Sequence, residues 1–249
     1  FMIAWILGLH GNDKKENVFE NLKRACSVLE IDENRVYKGK QAHTDNVIVI
    51  DSNNKEEYEF SLISEKEVDG YICSEKNTAT LVTTADCNPV IIYDPVKNVY
   101  ANVHSGWKGT VKRIYLKAAI KMHEEFNSSY EDMIVCIGPS IKKCCFTSED
   151  ENFKKIFTDI WNCEEKYISY DNDNKKRFHI DLGFVIKDDF VNLGVNTKNI
   201  VIPNICTKCN TDSFFSYRDA TLKKQSDYGT MATIVTLTWF LYSGVVKYQ

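Results

Sequence analysis

The run from Asn98 to Phe126 changes its hydrophobic period within a few residues, and that change constrains the fold more than any other feature. In "NVYANVH" (98–104) the apolar residues alternate. Val99, Ala101 and Val103 fall on one face, and Tyr100, Asn102 and His104 on the other. In "TVKRIYLKAAIKMHEEF" (110–126) they return every three or four residues. Val111, Ile114, Tyr115, Ala118, Ala119, Met122 and Phe126 form one stripe, and Thr110 stands where an N-cap belongs. A strand with one apolar face followed closely by an amphipathic helix calls for a sheet with helices packed on it.

Other segments repeat both patterns. "NVFENLKRACSVLEI" (17–31) has helical spacing at Val18, Leu22, Ala25, Val28 and Leu29. "ENFKKIFTDIW" (151–161) and "LGFVIKDDFVNLG" (182–194) also read as helices, the second stopped by Gly194. Strands are expected at 46–51, 78–87, 89–95, 133–139, 199–203, "SFFSY" (213–217) and "TMATIVTLTWF" (230–240), with Pro89 breaking the chain near Cys87. Helices and strands mix without strict alternation. The expected class is therefore α/β (mixed α+β): a single-domain sandwich over residues 1–249, with a mixed sheet flanked by helices. "DSNNKEE" (51–57) and "DNDNKKR" (171–177) read as polar loops, and neither marks a domain boundary.

Charge and composition exclude several function classes. The formal net charge is -4 and no basic stripe is visible, so no nucleic-acid partner is expected. "FMIAWILGLHG" lacks a basic start and a small-residue cleavage site, which argues against a signal peptide. No apolar run approaches the roughly 18 residues of a membrane span. Nine cysteines, an odd number in a chain this long, read as reduced thiols in a cytoplasmic protein.

Two stretches carry candidate chemistry. "TADCNPVIIYDP" puts Cys87 beside Asp86 at a strand end, and "NVHSGWKGT" puts His104 at another. With His43 they make a set of two histidines and one cysteine. Three protein ligands leave a fourth position open, as catalytic zinc requires. A nucleophilic Cys87–His104 pair, with Asp86 orienting the base, is the competing reading. In "HSGWKGT", Gly106 and Gly109 flank Trp107 and Lys108 ahead of the helix, a candidate phosphate seat. "CTKC" (206–209) is a CxxC that is redox-active, half of a four-cysteine zinc site that Cys144 or Cys145 could join in space, or a set of structural or incidental thiols; the last is favoured because no second CxxC exists and "CC" (144–145) has the wrong spacing. "FFSYRD" (214–219) offers base stacking with an anion contact at Arg218, or core aromatics with a surface arginine; pattern alone favours the second.

Taken in order, "QAH", "TADCNPVIIYDP", "HSGWKGT", "IGPSIKKCCF", "CTKCNTDSFFSYR" and a late Gly-Thr-Met resemble the YfiH-type purine nucleoside phosphorylases, long labelled laccase-domain or polyphenol oxidase proteins. The resemblance runs from about Leu7 to Leu237. It implies one zinc held by His43, Cys87 and His104. It implies phosphorolysis of adenosine, inosine and methylthioadenosine to base and ribose 1-phosphate, with deamination of adenosine. Purine nucleosides and inorganic phosphate are the implied partners, and a monomer or homodimer the implied assembly. Phosphate and substrate contacts are expected from Lys108, Gln41, Arg24 and Arg218, and proton transfer from Asp86. Lys108 stands where the family has Arg, and a lysine lacks the bidentate guanidinium fork. Ile6 stands where the family has Asn, and Asn21-Leu22 where it has Asn-Arg, with Arg24 the substitute; the family's N-terminal segment is thus expected to be missing or altered. Copper is the alternative metal, but a blue-copper centre alone takes two histidines and a cysteine, and five histidines cannot also supply a trinuclear cluster. A metal-binding protein without activity is the non-enzymatic alternative.

Overall fold

A computed structural model describes residues 2–7, 14–53, 66–162 and 164–238. Its larger sheet has six strands. Their order is β12 (Ile200–Val201), β8 (Ile134–Ile137), β6 (Asn88–Asp94), β7 (Val99–Ser105), β4 (Gly70–Cys73) and β3 (Val47–Ile50). β6 and β7 form an antiparallel hairpin with Val90 opposite Val103. The Asp94 carboxylate accepts the Val96 and Lys97 amides in its turn, at 2.8 and 3.0 Å. The outer pairs β12–β8 and β3–β4 are parallel, so the sheet is mixed. The smaller sheet runs β1 (Met2–Leu7), β13 (Met231–Thr236), β5 (Ala79–Thr84) and β2 (Val36–Tyr37).

The two sheets face each other. Ile50, Tyr71, Val82, Ile91, Tyr100 and Val235 fill the space between them. β7 also stitches the sheets with polar contacts. The Tyr100 hydroxyl donates to the Val235 carbonyl at 2.8 Å, and the Asn102 amide donates to the Thr80 and Thr233 carbonyls at 3.0 and 3.1 Å. On its other face β7 turns Val99, Ala101 and Val103 toward α3 (Ile114–Phe126) and α6 (Leu182–Leu193). α1 (Lys15–Leu29) covers the outer face of the smaller sheet, setting Leu22, Cys26 and Leu29 against Leu81 and Ile234. The layers are helix, sheet, sheet and helix, the expected sandwich. Each fully buried Val, Leu or Ile contributes about 1.5–3 kcal/mol, so the period-two pattern of β7 alone strongly fixes its register.

A third, three-stranded sheet, β10 (Ile168–Tyr170), β11 (Phe178–Ile180) and β9 (Thr147–Ser148), sits with α4 (Glu151–Trp161) and α5 (Glu164–Tyr167). Gly194 ends α6 in the left-handed region at φ 110°, which only glycine adopts freely.

Several expectations are corrected. The helix over 110–126 is two helices, α2 (Trp107–Val111) and α3, with Arg113 between them at φ 54°. Trp107 and Val111 pack with Phe146, Phe153 and Phe157, a different cluster from the one that takes Ile114, Ala118 and Met122. One continuous helix would not point both sets correctly. Thr110 lies inside α2 and shares a 3.0 Å bond with the Ser105 hydroxyl, so it is no cap. "SFFSY" is not a strand: Ser216 caps α7 (Tyr217–Leu222), its hydroxyl accepting the Asp219 amide at 3.1 Å. Pro89 lies within β6 opposite His104, and the break falls earlier, where Asp86 has φ 88°. Val28 is exposed, and Cys26 takes its place inside. The strand expected over 230–240 is β13, ending at Thr236; 239 and 240 lie outside the described residues, as do His10 and much of 51–57. No helix among the described residues is long and apolar enough to cross a membrane.

Candidate metal centre

Hairpin register brings the first two site residues together. Asn88 opens β6 opposite Ser105, the last residue of β7. Cys87, one step before β6, therefore stands beside His104. His43 arrives from the loop after β2 with a left-handed backbone, φ 57°. The three ligand atoms lie within 4.8 Å of one another. Cys87 Sγ is 3.9 Å from His43 Nε2, and the two imidazoles meet nearly edge-on, with centroids 4.8 Å apart and planes at 76°.

Asp69, fully buried just before β4, organises this trio. Its Oδ1 accepts His104 Nδ1 at 2.8 Å and the His43 amide at 3.1 Å. Its Oδ2 accepts the Ala42 amide at 3.2 Å and both the amide and the hydroxyl of Thr44 at 2.7 Å. One carboxylate thus bends the His43 loop into place and fixes the His104 tautomer. With Nδ1 protonated, the Nε2 lone pair is left for a ligand.

Burial pushes the Asp69 carboxyl up, but the hydrogen bonds from His104 and Thr44 outweigh it and hold the group well below the usual carboxylate range. Burial raises the Cys87 thiol, yet the charges and hydrogen bonds of His104 and His43 bring it down to about 6. Burial lowers His104, and the Cys87 thiolate with Asp69 lifts it to about 9. Without metal the site is a thiolate–imidazolium pair backed by a carboxylate.

Gly106 makes the room. A Cβ there would come 2.8 Å from Cys87 Sγ and 2.9 Å from His43 Cδ2, closer than carbon tolerates. The donor set also suits a metal: two imidazole nitrogens and a thiolate, with a carboxylate behind one histidine, match a tetrahedral zinc site that keeps a fourth position open. Tetrahedral zinc separates a nitrogen and a sulfur ligand by about 3.6 Å, close to the 3.9 Å between His43 and Cys87.

The other expected site residues divide. The buried Asp86 carboxylate accepts the Thr207 hydroxyl at 2.6 Å, the Ser216 hydroxyl at 3.0 Å and the Arg218 amide at 2.7 Å. It anchors the 206–218 segment beside Cys87. Gln41 holds the end of β5: its Nε2 donates to the Thr83 carbonyl at 2.7 Å and its Oε1 accepts the Thr83 amide at 2.6 Å. Lys108 lies exposed on α2, 5.6 Å over the Trp107 ring. Arg218 Nη1 donates to the Cys145 and Thr147 carbonyls at 3.3 and 3.2 Å. Arg24 is exposed on α1 and paired with Glu20 at 2.8 Å, a contact that does not involve the trio. His123 is exposed with Nδ1 donating to the Ser128 carbonyl, and His179 sits between the Lys143 carbonyl and Asp171.

Sequence reading missed Asp69. "EVDGYIC" offers an acidic residue before a strand and no periodic signal; its partners lie 25–35 positions away.

A family model described as "Multi-copper polyphenol oxidoreductase laccase" matches residues 5–238. A purine nucleoside phosphorylase of Clostridium acetobutylicum is 39% identical over 181 residues, covering 72% of this chain and 69% of its own length. An adenosine deaminase from an unknown prokaryotic organism is 31% identical over 195 residues, covering 76% of this chain and 72% of its own. The crystal structure of Bacillus licheniformis hypothetical protein YfiH has a TM-score of 0.79 at 25% identity, covering 92% of this chain and 84% of that one. The histidine–cysteine–histidine centre, the sandwich that builds it and these matches agree, and the chain belongs to the multi-copper polyphenol oxidoreductase laccase family, whose relatives include proteins named purine nucleoside phosphorylases.

Proposed function

We propose that the chain is a zinc-dependent purine nucleoside phosphorylase. It splits adenosine, inosine and S-methyl-5'-thioadenosine with inorganic phosphate into the free base and the ribose 1-phosphate species, and it also deaminates adenosine. The observation that carries the reading is the His43–Cys87–His104 trio, with Asp69 fixing two of its members. The relatives named phosphorylase and deaminase give the reaction classes.

His43, Cys87 and His104 would hold the zinc. When bound, it supplies Lewis acidity and an activated water for deamination. The chain's own groups do the rest. Asp69 keeps His104 Nδ1 protonated and the His43 loop bent inward. Lys108 has no ion pair among the described residues, and its ammonium is assigned to phosphate; Arg218, whose backbone amide meets Asp86 while its guanidinium donates to the Cys145 and Thr147 carbonyls, is assigned as a second cation. Asp86 is assigned to positioning rather than proton transfer, because three donors already occupy its oxygens. Gln41 braces the end of β5 two residues before His43.

A multi-copper oxidase needs further copper ligands. Among the described residues the only other group able to hold a metal is four cysteines, and the chain has five histidines. A single copper in the trio is the remaining oxidase reading, and metal analysis with oxygen-consumption measurements separates it. The deciding assay is inosine plus phosphate, followed by hypoxanthine release. Phosphate-dependent release that stops on chelation and returns with zinc supports the proposal. No turnover from fully zinc-loaded protein refutes it and favours a metal-binding protein without activity.

A further inference from the structure

We propose that Cys144, Cys145, Cys206 and Cys209 hold a second, structural zinc ion, a site independent of the reaction proposed above. Cys144 and Cys145 lie in the turn before β9, and Cys206 and Cys209 in the turn after β12. The two turns are stitched side by side. Ser140 and Cys206 form a parallel bridge, and the Thr207 amide donates to the Ser140 carbonyl at 3.1 Å. All four sulfurs lie within 4.8 Å of one another. Cys209 Sγ is 3.3 Å from Cys145 Sγ and 3.7 Å from Cys144 Sγ.

These distances discriminate between chemistries. A disulfide needs about 2.05 Å between sulfurs, and neither pair approaches it. Four thiolates around one tetrahedral zinc, at about 2.3 Å from the ion, stand about 3.8 Å apart. The Cys144–Cys209 separation of 3.7 Å matches that value, Cys145–Cys209 at 3.3 Å falls somewhat below it, and no pair exceeds 4.8 Å. A cluster of several irons would hold its four thiolates farther apart than one ion does. A redox CxxC pairs its own two cysteines at the start of a helix. Here Cys209 meets Cys144 and Cys145 from the other turn as well as its own partner Cys206, and the next helix begins only at Tyr217.

The surroundings fit a bound dication and its four thiolates. The Lys142 amide donates to Cys206 Sγ at 3.4 Å, and the Asn210 side chain closes the second turn on the Cys206 carbonyl at 2.8 Å. Lys142, Lys143 and Lys208 adjoin the ligands in sequence and offset the net negative charge of such a complex. The site also reaches the trio. Thr207, inside the CxxC, donates to Asp86 at 2.6 Å, and the Cys145 carbonyl takes Arg218 Nη1 at 3.3 Å. The ion would tie the two turns that carry the Asp86 and Arg218 contacts.

The test is metal stoichiometry on the full chain, purified with zinc under reducing conditions. Wild type should carry about two zinc per chain, and Cys209→Ser and Cys145→Ser about one each. His43→Ala should also carry about one, and its X-ray absorption should show an all-sulfur shell near 2.3 Å. That variant leaves the four cysteines intact, so misfolding of a cysteine variant cannot hide the answer. A single zinc in wild type that Cys209→Ser keeps, iron in place of zinc, nitrogen in the shell of His43→Ala, or a Cys145–Cys209 disulfide in anaerobically prepared protein would each overturn the assignment; a single zinc that Cys209→Ser loses would instead count against the trio.

Discussion

Replacing Asp69 with Asn tests how the centre is built without touching a ligand. The five hydrogen bonds to this carboxylate all come from donors: three amides, the Thr44 hydroxyl and His104 Nδ1. An asparagine has only one acceptor oxygen. If that oxygen takes the Oδ1 place, His104 and His43 keep their partner, and the new NH2 faces the Ala42 and Thr44 amides. Two donors then oppose a donor, and the His43 loop must relax. If the oxygen takes the other place, the NH2 faces His104. The imidazole must then carry its proton on Nε2, the nitrogen that should face the metal. Both arrangements penalise metal binding. Loss of such an outer partner typically weakens a site 10–100-fold, or about 1.4–2.7 kcal/mol. Competition with a chromophoric chelator reads this directly, in a Cys209→Ser background that leaves only the trio to load. The same substitution changes acid stability. Because the Asp69 carboxyl is depressed in the folded state, its stabilisation is full above the unfolded value near 3.9 and is lost as pH falls toward the folded value. Apo Asp69→Asn should therefore be less stable at neutral pH and show a shallower loss below about pH 4. Wild-type zinc affinity in the variant, within twofold, would refute the role given to Asp69.

Three further outcomes follow from the geometry. Between the Cys87 value of about 6 and the His104 value of about 9, the metal-free pair holds one proton on His104 that a ligand must displace. Zinc binding should release that proton, and affinity through this pair should fall roughly tenfold per unit as pH drops across the window; calorimetry in buffers of different ionisation enthalpy measures it, and no buffer dependence at pH 8 would contradict the pairing. Gly106→Ala should lower zinc affinity at the trio at least tenfold with the fold intact, since the new methyl meets Cys87 Sγ at 2.8 Å; equilibrium dialysis beside circular dichroism checks both. Asp86→Ala leaves the Thr207 and Ser216 hydroxyls and the Arg218 amide without their acceptor, which costs about 2–4 kcal/mol. Its melting temperature should drop by roughly 5–15 °C while zinc still binds at His43, Cys87 and His104.

How much of this was legible depends on how far apart the partners lie. The β7 face pattern was plain because it is local: Val99, Ala101 and Val103 face the helices while Tyr100, Asn102 and His104 carry hydrogen-bonding groups on the other face, which writes a period of two into seven residues. Cys87 and His104 were visible as chemistry at strand ends, but pattern alone could not choose between a ligand pair and a nucleophile with its base. Two non-local facts support the ligand reading: Gly106 keeps a cradle open between Cys87 and His43, and Asp69 aims His104 outward. Neither has a periodic signature. The errors share that cause. Aromatic residues in "SFFSY" favour a strand locally, yet the Asp86 carboxylate, 130 residues earlier, takes the Ser216 hydroxyl and fixes the start of a helix. The stripe over 110–126 looked continuous because its two halves keep helical spacing, while two separate clusters pull them apart at Arg113. The cysteine quartet is the strongest case. "CTKC" alone favoured structural or incidental thiols for want of a second CxxC, and its neighbours could not be placed: Cys145 and Cys209 are 64 residues apart and meet because β12 runs parallel to β8 and sets the two turns that follow them side by side. A sheet register, invisible in any window of sequence, turns two unremarkable turns into one four-sulfur cage.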